Sequence, residues 1–194
     1  MKIVGVTGGI GSGKSTVCKL LSKMNFPVFY TDLEGHRQLN TNEEVHQALK
    51  DRYGKDIFDE NGFPIRPAIA AIVFKDKSEL SWLNSIIHPR VKQAFTDWCV
   101  LQSAAVVFKE SAILFEGNFN SDCDYSIQVS CSVEQRMQRV LKRDAVNKED
   151  IQNRMKNQMS DREREALADF VVYNEDSDLL IPQTLKILKT ILKK

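Results

Sequence analysis

A glycine-rich loop, GGIGSGKST, occupies residues 8–16 directly after the apolar run IVGV. Gly8, four further residues and then Gly13-Lys14-Ser15 fit the phosphate-loop pattern G-x-x-x-x-G-K-S/T. The glycines let the backbone curl so that several N–H groups point at one anion. We expect Lys14 to reach the β- and γ-phosphates of a nucleotide, the Ser15 hydroxyl to ligate Mg²⁺, and the helix beginning near Gly13 to add the positive end of its dipole.

The sequence on either side suits such a loop. KIVGVT is a short β-branched run typical of a buried strand, and the following KSTVCKLLSKM has helical spacing at its apolar positions, Val17, Leu20, Leu21 and Met24. Strand, loop and helix therefore come in the order that the motif requires. The alternative, a glycine-rich turn with an exposed lysine, explains neither the Lys14-Ser15 pair nor the strand before it.

Composition limits the class of protein. The 194 residues are enough for one domain with small inserted lobes, and a net charge of +1 argues against general nucleic-acid binding. The four cysteines contain no C-x-x-C pair, and no histidine lies at metal-ligand spacing, so reduced thiols are expected. No apolar segment approaches about 18 residues, and MKIVGVTGG is typical of a chain that enters its fold at once. We therefore expect a cytoplasmic protein that binds small molecules and no membrane.

Strand-like runs recur between helical patterns, at PVFY, AAVVF, AILF, YSIQVS and FVVY. This alternation predicts an α/β fold with a mostly parallel sheet. Capping boxes predict helix starts at three pairs: Thr41 with Glu44, Ser132 with Gln135, and Ser160 with Glu163. Pro182 suits the first turn of a final helix with one apolar stripe, formed by Leu185, Leu188, Ile191 and Leu192.

Two stretches interrupt the alternation and are predicted to form lobes over the active site of a single domain, 1–194. Residues 33–100 are largely helical, with a tight turn at Asn61-Gly62. Residues 140–165 are dense in charge, yet Ile151, Met155 and Met159 recur every four residues. That spacing predicts a helix pair with one apolar face, suited to a mobile lid.

Arginines near the second stretch are candidates for phosphoryl binding. Arg139 and Arg143 are spaced i, i+4, so they share a helix face after the strand YSIQVS. Open α/β sheets bind ligands at the carboxyl ends of their strands, where these arginines could neutralise the transferring phosphoryl group. Arg136 lies on the adjoining turn and is a weaker candidate. The alternative for all three is a salt-bridged surface helix.

Three acids are candidates for the acceptor side and the metal. A kinase needs a carboxylate that orients the attacking hydroxyl and accepts its proton, and Asp32, which follows the strand-like PVFY, is the first choice. Its alternative role is that of a helix N-cap. Glu110, after AAVVF, could act on Mg²⁺ through water. Glu116 is either a structural or a substrate-orienting acid, and the sequence does not separate the two roles.

Together these segments resemble the dephospho-CoA kinase family. The resemblance runs in the family's order from residue 3 to about residue 174 and rests on GVTGGIGSGKSTV, the aspartate of YTD, NGFPIR followed by VF, IIHPRV, ILFE, QRMQRVLKRD, RMKNQM and ADFVVYN. It implies a P-loop NTPase fold: three α/β/α layers around a mostly parallel five-stranded sheet, with a helical substrate-binding lobe and a lid. It also implies transfer of the ATP γ-phosphate to the ribose 3′-hydroxyl of dephospho-CoA, the last step of coenzyme A synthesis.

The resemblance assigns roles to individual residues. Asp32 matches the family's proposed catalytic base, and Arg139 and Arg143 match its lid arginines. The ATP-binding positions are Gly8, Gly11, Ser12, Gly13, Lys14, Ser15, Thr16 and Asn174, the last in the segment that approaches adenine. Arg66 and His88 lie in the acceptor-binding region, although His88, before Pro89, is equally a helix-start or turn residue.

This chain departs from the family pattern at several positions. Family members commonly have DAD where this chain has Tyr30-Thr31-Asp32, so only the last acid remains. An arginine is usual four residues after that aspartate, whereas this chain has His36 followed by Arg37. Ala112 replaces a common proline, and Tyr173 replaces the usual acid before Asn174. The contacts with the acceptor are therefore left open near His36.

Three other functions share parts of these patterns. A nucleoside or nucleotide kinase would share the loop, the lid and the catalytic acid, and would differ only in its acceptor. A regulatory GTPase usually carries an Asn-Lys-x-Asp element, whereas NKED at 147–150 has Glu-Asp at its third and fourth positions. A binding module without chemistry would keep its function when Lys14 is replaced by alanine.

Overall fold

A parallel sheet organises the chain. The computed structural model describes residues 1–73, 75–144, 147–156 and 158–193. Within them, five strands form one sheet, and these are β1 (Lys2–Thr7), β2 (Val28–Tyr30), β3 (Val106–Glu110), β4 (Tyr125–Ser130) and β5 (Phe170–Tyr173). The strand order is β2-β3-β1-β4-β5, and all four pairings are parallel. The predicted α/β fold with a mostly parallel sheet is confirmed.

The helices follow the strands in the alternation that parallel sheets require. In chain order they are α1 (Lys14–Lys23), α2 (Thr31–Thr41), α3 (Glu43–Tyr53), α4 (Arg66–Val73), α5 (Lys77–Val100), α6 (Val133–Arg143), α7 (Lys148–Lys156), α8 (Asp161–Leu167) and α9 (Leu180–Lys193), with one short 3₁₀ turn at Lys55–Ile57. The three middle strands β3, β1 and β4 are largely buried, and the apolar core of this unit lies on them.

Contacts between residues divide the chain into two compact units. One contains residues 1–30 and 102–194, and its core is the sheet with the helices packed on it. The other contains residues 31–101, which covers the stretch predicted to be an inserted helical lobe. It has a core of its own, formed by Val45, Leu49, Ile57, Ile69 and Val73. Residues 145, 146 and 157 of the predicted lid lie outside the described residues.

Three local predictions were wrong. The run AILF is a turn after β3 and not a strand, because the Leu114 carbonyl accepts from the backbone N–H groups of Phe119 and Asn120. Thr41 does not cap a helix: α2 runs through it, and Asn42 next to it caps α3 by accepting from the Val45 N–H. The predicted stripe of α9 is too wide, since Leu188 and Ile191 are buried while Leu185 and Leu192 are exposed.

The other helix-start predictions fared better. Ser160 and Glu163 form a complete capping box at α8, as predicted. Ser132 caps α6 by accepting from the Gln135 N–H, but its own N–H donates to Glu175. Pro182 lies in the first turn of α9, and Gly62 adopts a left-handed φ of 80° in the predicted turn.

Candidate active site

The phosphate loop joins β1 to α1 and leaves no room for side chains at its glycines. Gly11 and Gly13 have φ values of 80° and 93°, a region that favours glycine. A Cβ on Gly8 would lie 2.7 Å from the Val129 carbonyl oxygen, and one on Gly13 would lie 2.0 Å from the Asn174 amide nitrogen. The backbone of the loop is therefore packed closely, as a cradle for phosphate requires.

Lys14 is held by an acid from the neighbouring strand. Its Nζ lies 3.4 Å from Oε1 of Glu110, a buried residue at the end of β3. Burial, together with the charge of Glu110, raises the pKa of the Cys18 thiol in α1, so Cys18 is a protonated core residue. Ser15 and Thr16, in the exposed first turn of α1, leave their hydroxyl groups available to a ligand.

Asn174 and Arg139 lie beside the loop. The Asn174 amide donates to the Ser12 carbonyl at 2.7 Å, and Arg139 Nη1 lies 4.0 Å from where a Gly13 Cβ would be. Arg139 Nη2 also donates to Gln135 at 3.0 Å and to Asp176 at 2.9 Å. The structure therefore brings Asn174 and Arg139 together with the loop.

Arg143 lies one turn further along α6. Its side chain is 65% exposed and forms an ion pair with the adjacent Asp144, with Nε 2.7 Å from Oδ1. Among the residues that the structure describes, the hydrogen bonds and the ion pair of Arg143 go to Asp144 and not to the loop. Arg139 and Arg143 do lie on the same helix, as their spacing predicted.

Glu116 joins the turn after β3 to the start of α8. Its Oε1 accepts from the Met159 backbone N–H at 3.1 Å and from Arg164 Nη2 at 3.2 Å. Arg164 is fully buried and also donates to Asp161 at 3.2 Å. Glu116 therefore connects two segments of the fold. These contacts favour the structural role predicted for Glu116 over the substrate-orienting role.

Asp32, Arg66 and His36 belong to the unit of residues 31–101. Asp32 is the second residue of α2 and is exposed, so it lies within the helix and does not cap it. Burial and the charge of Arg66 lower the pKa of His36, while the Asp32 carboxylate acts in the opposite direction. His36 therefore lies within electrostatic reach of both Arg66 and Asp32. Arg37, by contrast, is occupied by a double hydrogen bond to Glu34.

His88 lies in the middle of α5, one residue before the Pro89 contained in that helix. Neither of its alternative roles, helix start or turn, is correct, because the helix begins eleven positions earlier, at Lys77. Burial, and then the charge of Lys92, lower the pKa of His88. A neutral imidazole there can either donate or accept a hydrogen bond.

Replacing either of two charged residues that act on His36 should shift its pKa, in opposite directions for the two variants. We predict that His36 titrates below the ordinary histidine value of 6.5, that Arg66→Gln raises its midpoint by removing a positive charge, and that Asp32→Asn lowers it. Because the folded-state pKa is depressed, the stability from neutral His36 is present above about pH 6.5 and lost as pH falls through the folded value. Proton NMR of the imidazole resonances measures the three midpoints. Identical midpoints would contradict the predicted interaction.

Comparison with known proteins identifies the family. A family model described as dephospho-CoA kinase matches residues 2–179. This chain belongs to the dephospho-CoA kinase family. It is 36% identical over 192 residues to a dephospho-CoA kinase of Bacteroides fragilis, with 98% of this chain and 93% of that protein covered. It is 37% identical over 195 residues to that of Porphyromonas gingivalis, with 100% and 96% covered.

Among solved structures, a crystal structure of a protein from Thermus thermophilus has a TM-score of 0.85 and 30% sequence identity to this dephospho-CoA kinase family member. The match covers 99% of this chain and 96% of that one. The fold is the P-loop kinase fold, as predicted. Across the described ranges, no helix has both the length and the apolar character needed to cross a membrane.

The site residues of this dephospho-CoA kinase family member fit a nucleotide with its metal. The loop glycines leave a cradle that a Cβ would fill, and Ser12 Oγ is buried with no hydrogen-bond partner among the described residues. Ser15 and Glu110 offer oxygen donors, which Mg²⁺ prefers. In the described part of the chain, no group of three or more His, Cys, Asp or Glu could hold an ion by itself. A magnesium ion held by one or two protein oxygens and the phosphates suits that arrangement.

Two further residues contact the loop. The sequence patterns indicate one of them only as a weaker candidate and do not indicate the other. Arg136 in α6 and Gln158 before α8 both hydrogen-bond the backbone of Ile10. Arg136 could be suspected because it precedes Arg139 by one helical turn. No local pattern marks Gln158.

Proposed function

We propose that this chain transfers the γ-phosphoryl group of ATP to the ribose 3′-hydroxyl of dephospho-CoA, giving coenzyme A and ADP in the last step of coenzyme A biosynthesis. The observation that carries the proposal is the family match over residues 2–179, which spans both the phosphate loop and Asp32. The reaction forms one P–O bond to the acceptor and breaks the bond between the γ-phosphorus and the β,γ-bridging oxygen. The hydroxyl proton passes to a base, for which we propose Asp32.

We propose that the loop and α1 hold the phosphates. Backbone N–H groups of the loop and of the first turn of α1 would bind the β-phosphate, and Lys14 would bridge the β- and γ-phosphates. Ser15 would ligate Mg²⁺, and Glu110 would act on it through water. The metal would neutralise charge on the β- and γ-oxygens.

Arg139 and Arg143 are proposed to stabilise charge on the transferring group. Both form ion pairs in this structure, with Asp176 and Asp144. The Asp176 side chain is 80% exposed, and exposed pairs are worth only about 0–1 kcal/mol. Each guanidinium can therefore exchange its carboxylate for a phosphoryl oxygen at little cost.

Asp32, Arg66 and His88 are proposed to serve the acceptor. The Asp32 carboxylate is exposed and can accept the hydroxyl proton as the bond to phosphorus forms. Arg66, at the start of α4, offers a guanidinium to the phosphate groups of dephospho-CoA. A cytoplasmic location suits a biosynthetic enzyme that uses ATP and stays a prediction.

Two other functions compete with this proposal. A nucleotide kinase differs only in its acceptor. A GTPase is disfavoured, because residues 147–150 form the start of α7, where Asn147 accepts from the Asp150 N–H, and do not follow a strand of the sheet.

An acceptor panel tests the proposal against the nucleotide kinase. ADP release from the purified protein with Mg·ATP is measured with dephospho-CoA, adenosine, AMP or water as acceptor. We expect release to depend on dephospho-CoA. Release with adenosine or AMP, and none above water with dephospho-CoA, would support a nucleotide kinase instead.

A further inference from the structure

The backbone of Ile10, in the first half of the phosphate loop, is held by two side chains from distant segments. Its N–H donates to Oε1 of Gln158 at 2.9 Å, and its carbonyl accepts from Nε of Arg136 at 2.9 Å. Both backbone polar groups of Ile10 are thus bound by side chains and not by the loop itself. A loop that lacks regular secondary structure depends on such partners for a single conformation.

Arg136 lies where side chains at Gly9 and Gly11 would otherwise be. It is only 4% exposed, and a Cβ on Gly9 would lie 2.2 Å from its Nη2. A Cβ on Gly11 would lie 2.6 Å from the Arg136 carbonyl oxygen. The guanidinium therefore lies against the backbone of the loop on the side of α6. It neutralises no acid of the loop, and its charge is paired elsewhere, with Asp161.

Asp161 connects Arg136 to the rest of the sheet unit. It begins α8, and besides its ion pair with Arg136 its carboxylate accepts from Arg164 and from Gln128 of β4. Gln158 lies three residues before Asp161 in the chain, so both side chains that hold Ile10 come from segments anchored at the start of α8 or paired with it. A buried charged pair of this kind fixes geometry even where its net contribution to stability is small.

We propose that Arg136 and Gln158 are positioning residues that hold the phosphate loop in its ATP-binding shape. They act through the Ile10 peptide and do not touch the reacting atoms. This inference rests on the proposed function, because it assumes that the loop binds ATP. The loop contacts the phosphates both in the ATP complex and in the transition state. A misplaced loop therefore weakens the binding of ATP and of the transition state together. The expected defect is a raised KM for ATP with a smaller change in kcat and none in the KM for the acceptor.

The test compares Gln158→Leu and Arg136→Gln with matched controls. Gln152→Leu and Arg162→Gln change the same residue types at exposed positions of α7 and α8. Gln158→Leu keeps the approximate size of the side chain and removes its carboxamide, including the Oε1 that accepts from the Ile10 N–H. We expect each test variant to raise the ATP KM and the Kd of a non-hydrolysable ATP analogue by about tenfold, the loss of one hydrogen bond to a charged or constrained group. The controls should match the wild type.

The double variant gives a readout that a general loss of stability would not move. Because both side chains hold the backbone of the same residue, Ile10, the effects of Gln158→Leu and Arg136→Gln on ATP affinity should be less than additive. Unchanged ATP affinity in both single variants would overturn the inference while wild-type phosphorylation of dephospho-CoA continued to support the proposed function. Equal losses in the KM of ATP and of the acceptor would also overturn it. A wild-type protein that bound no ATP would overturn both.

Discussion

Asp32→Asn is expected to lower kcat by about 10²–10⁴-fold, the usual contribution of a positioned general base. Asparagine keeps the size of the side chain but cannot accept the hydroxyl proton. Because Asp32 is proposed to serve the acceptor and not the nucleotide, the Kd for ATP should stay near that of the wild type. Steady-state kinetics with saturating dephospho-CoA, together with ATP binding by calorimetry, measure both quantities.

The control for this prediction is Asp56→Asn, which makes the same chemical change at an exposed position of the same unit. It should leave kcat unchanged. If Asp32 only stabilises the first turn of α2, its replacement should cost about 0.3–1 kcal/mol of stability and leave kcat nearly intact. That outcome would remove Asp32 from the mechanism.

Lys14→Ala is expected to lower kcat by about 10²–10³-fold, comparable to losing one preorganised charge at the transition state. Its ammonium belongs to the first residue of α1, directly after the loop, and lies 3.4 Å from Glu110. The KM for ATP should rise as well, since Lys14 contacts phosphate before transfer. Single-turnover measurement of ADP formation separates the chemical step from binding.

Lys19→Ala is the matched control, because Lys19 is an exposed lysine of the same helix. It should behave as the wild type. A Lys14→Ala protein with full kinase activity would instead show that Lys14 has no role in phosphoryl transfer. Far-ultraviolet circular dichroism of each variant confirms that α1 and the sheet are intact.

The parts predicted well from sequence are those specified by local pattern. The loop glycines, with β1 before them and α1 after them, follow from turn chemistry and from hydrophobic periodicity over a few residues. The capping box at Ser160 and the parallel sheet are of the same kind. A local pattern can also misplace an element by one residue. Asparagine is as good an N-cap residue as threonine, and Asn42 caps α3, so the pattern at Thr41 predicts the helix start one residue too early.

The parts that could not be predicted depend on contacts between distant residues. Gln158 and Ile10 are 148 positions apart, and Arg136 and Ile10 are 126 apart. The run AILF has the composition of a strand, but its backbone carbonyls bond within a turn. Glu116 gained a defined partner only when folding brought the buried Arg164 beside it. Charge and spacing along the chain contain no signal for these pairs.

The position of the transferred phosphate tests the central claim most directly. The product formed from Mg·ATP and dephospho-CoA is isolated, and phosphorus NMR with coupling to the ribose protons locates the new phosphate. The account predicts one monoester on the 3′-oxygen, a product identical to coenzyme A, and one ADP for each product molecule. A phosphate at another position, or ADP formed without phosphorylated acceptor, would contradict it.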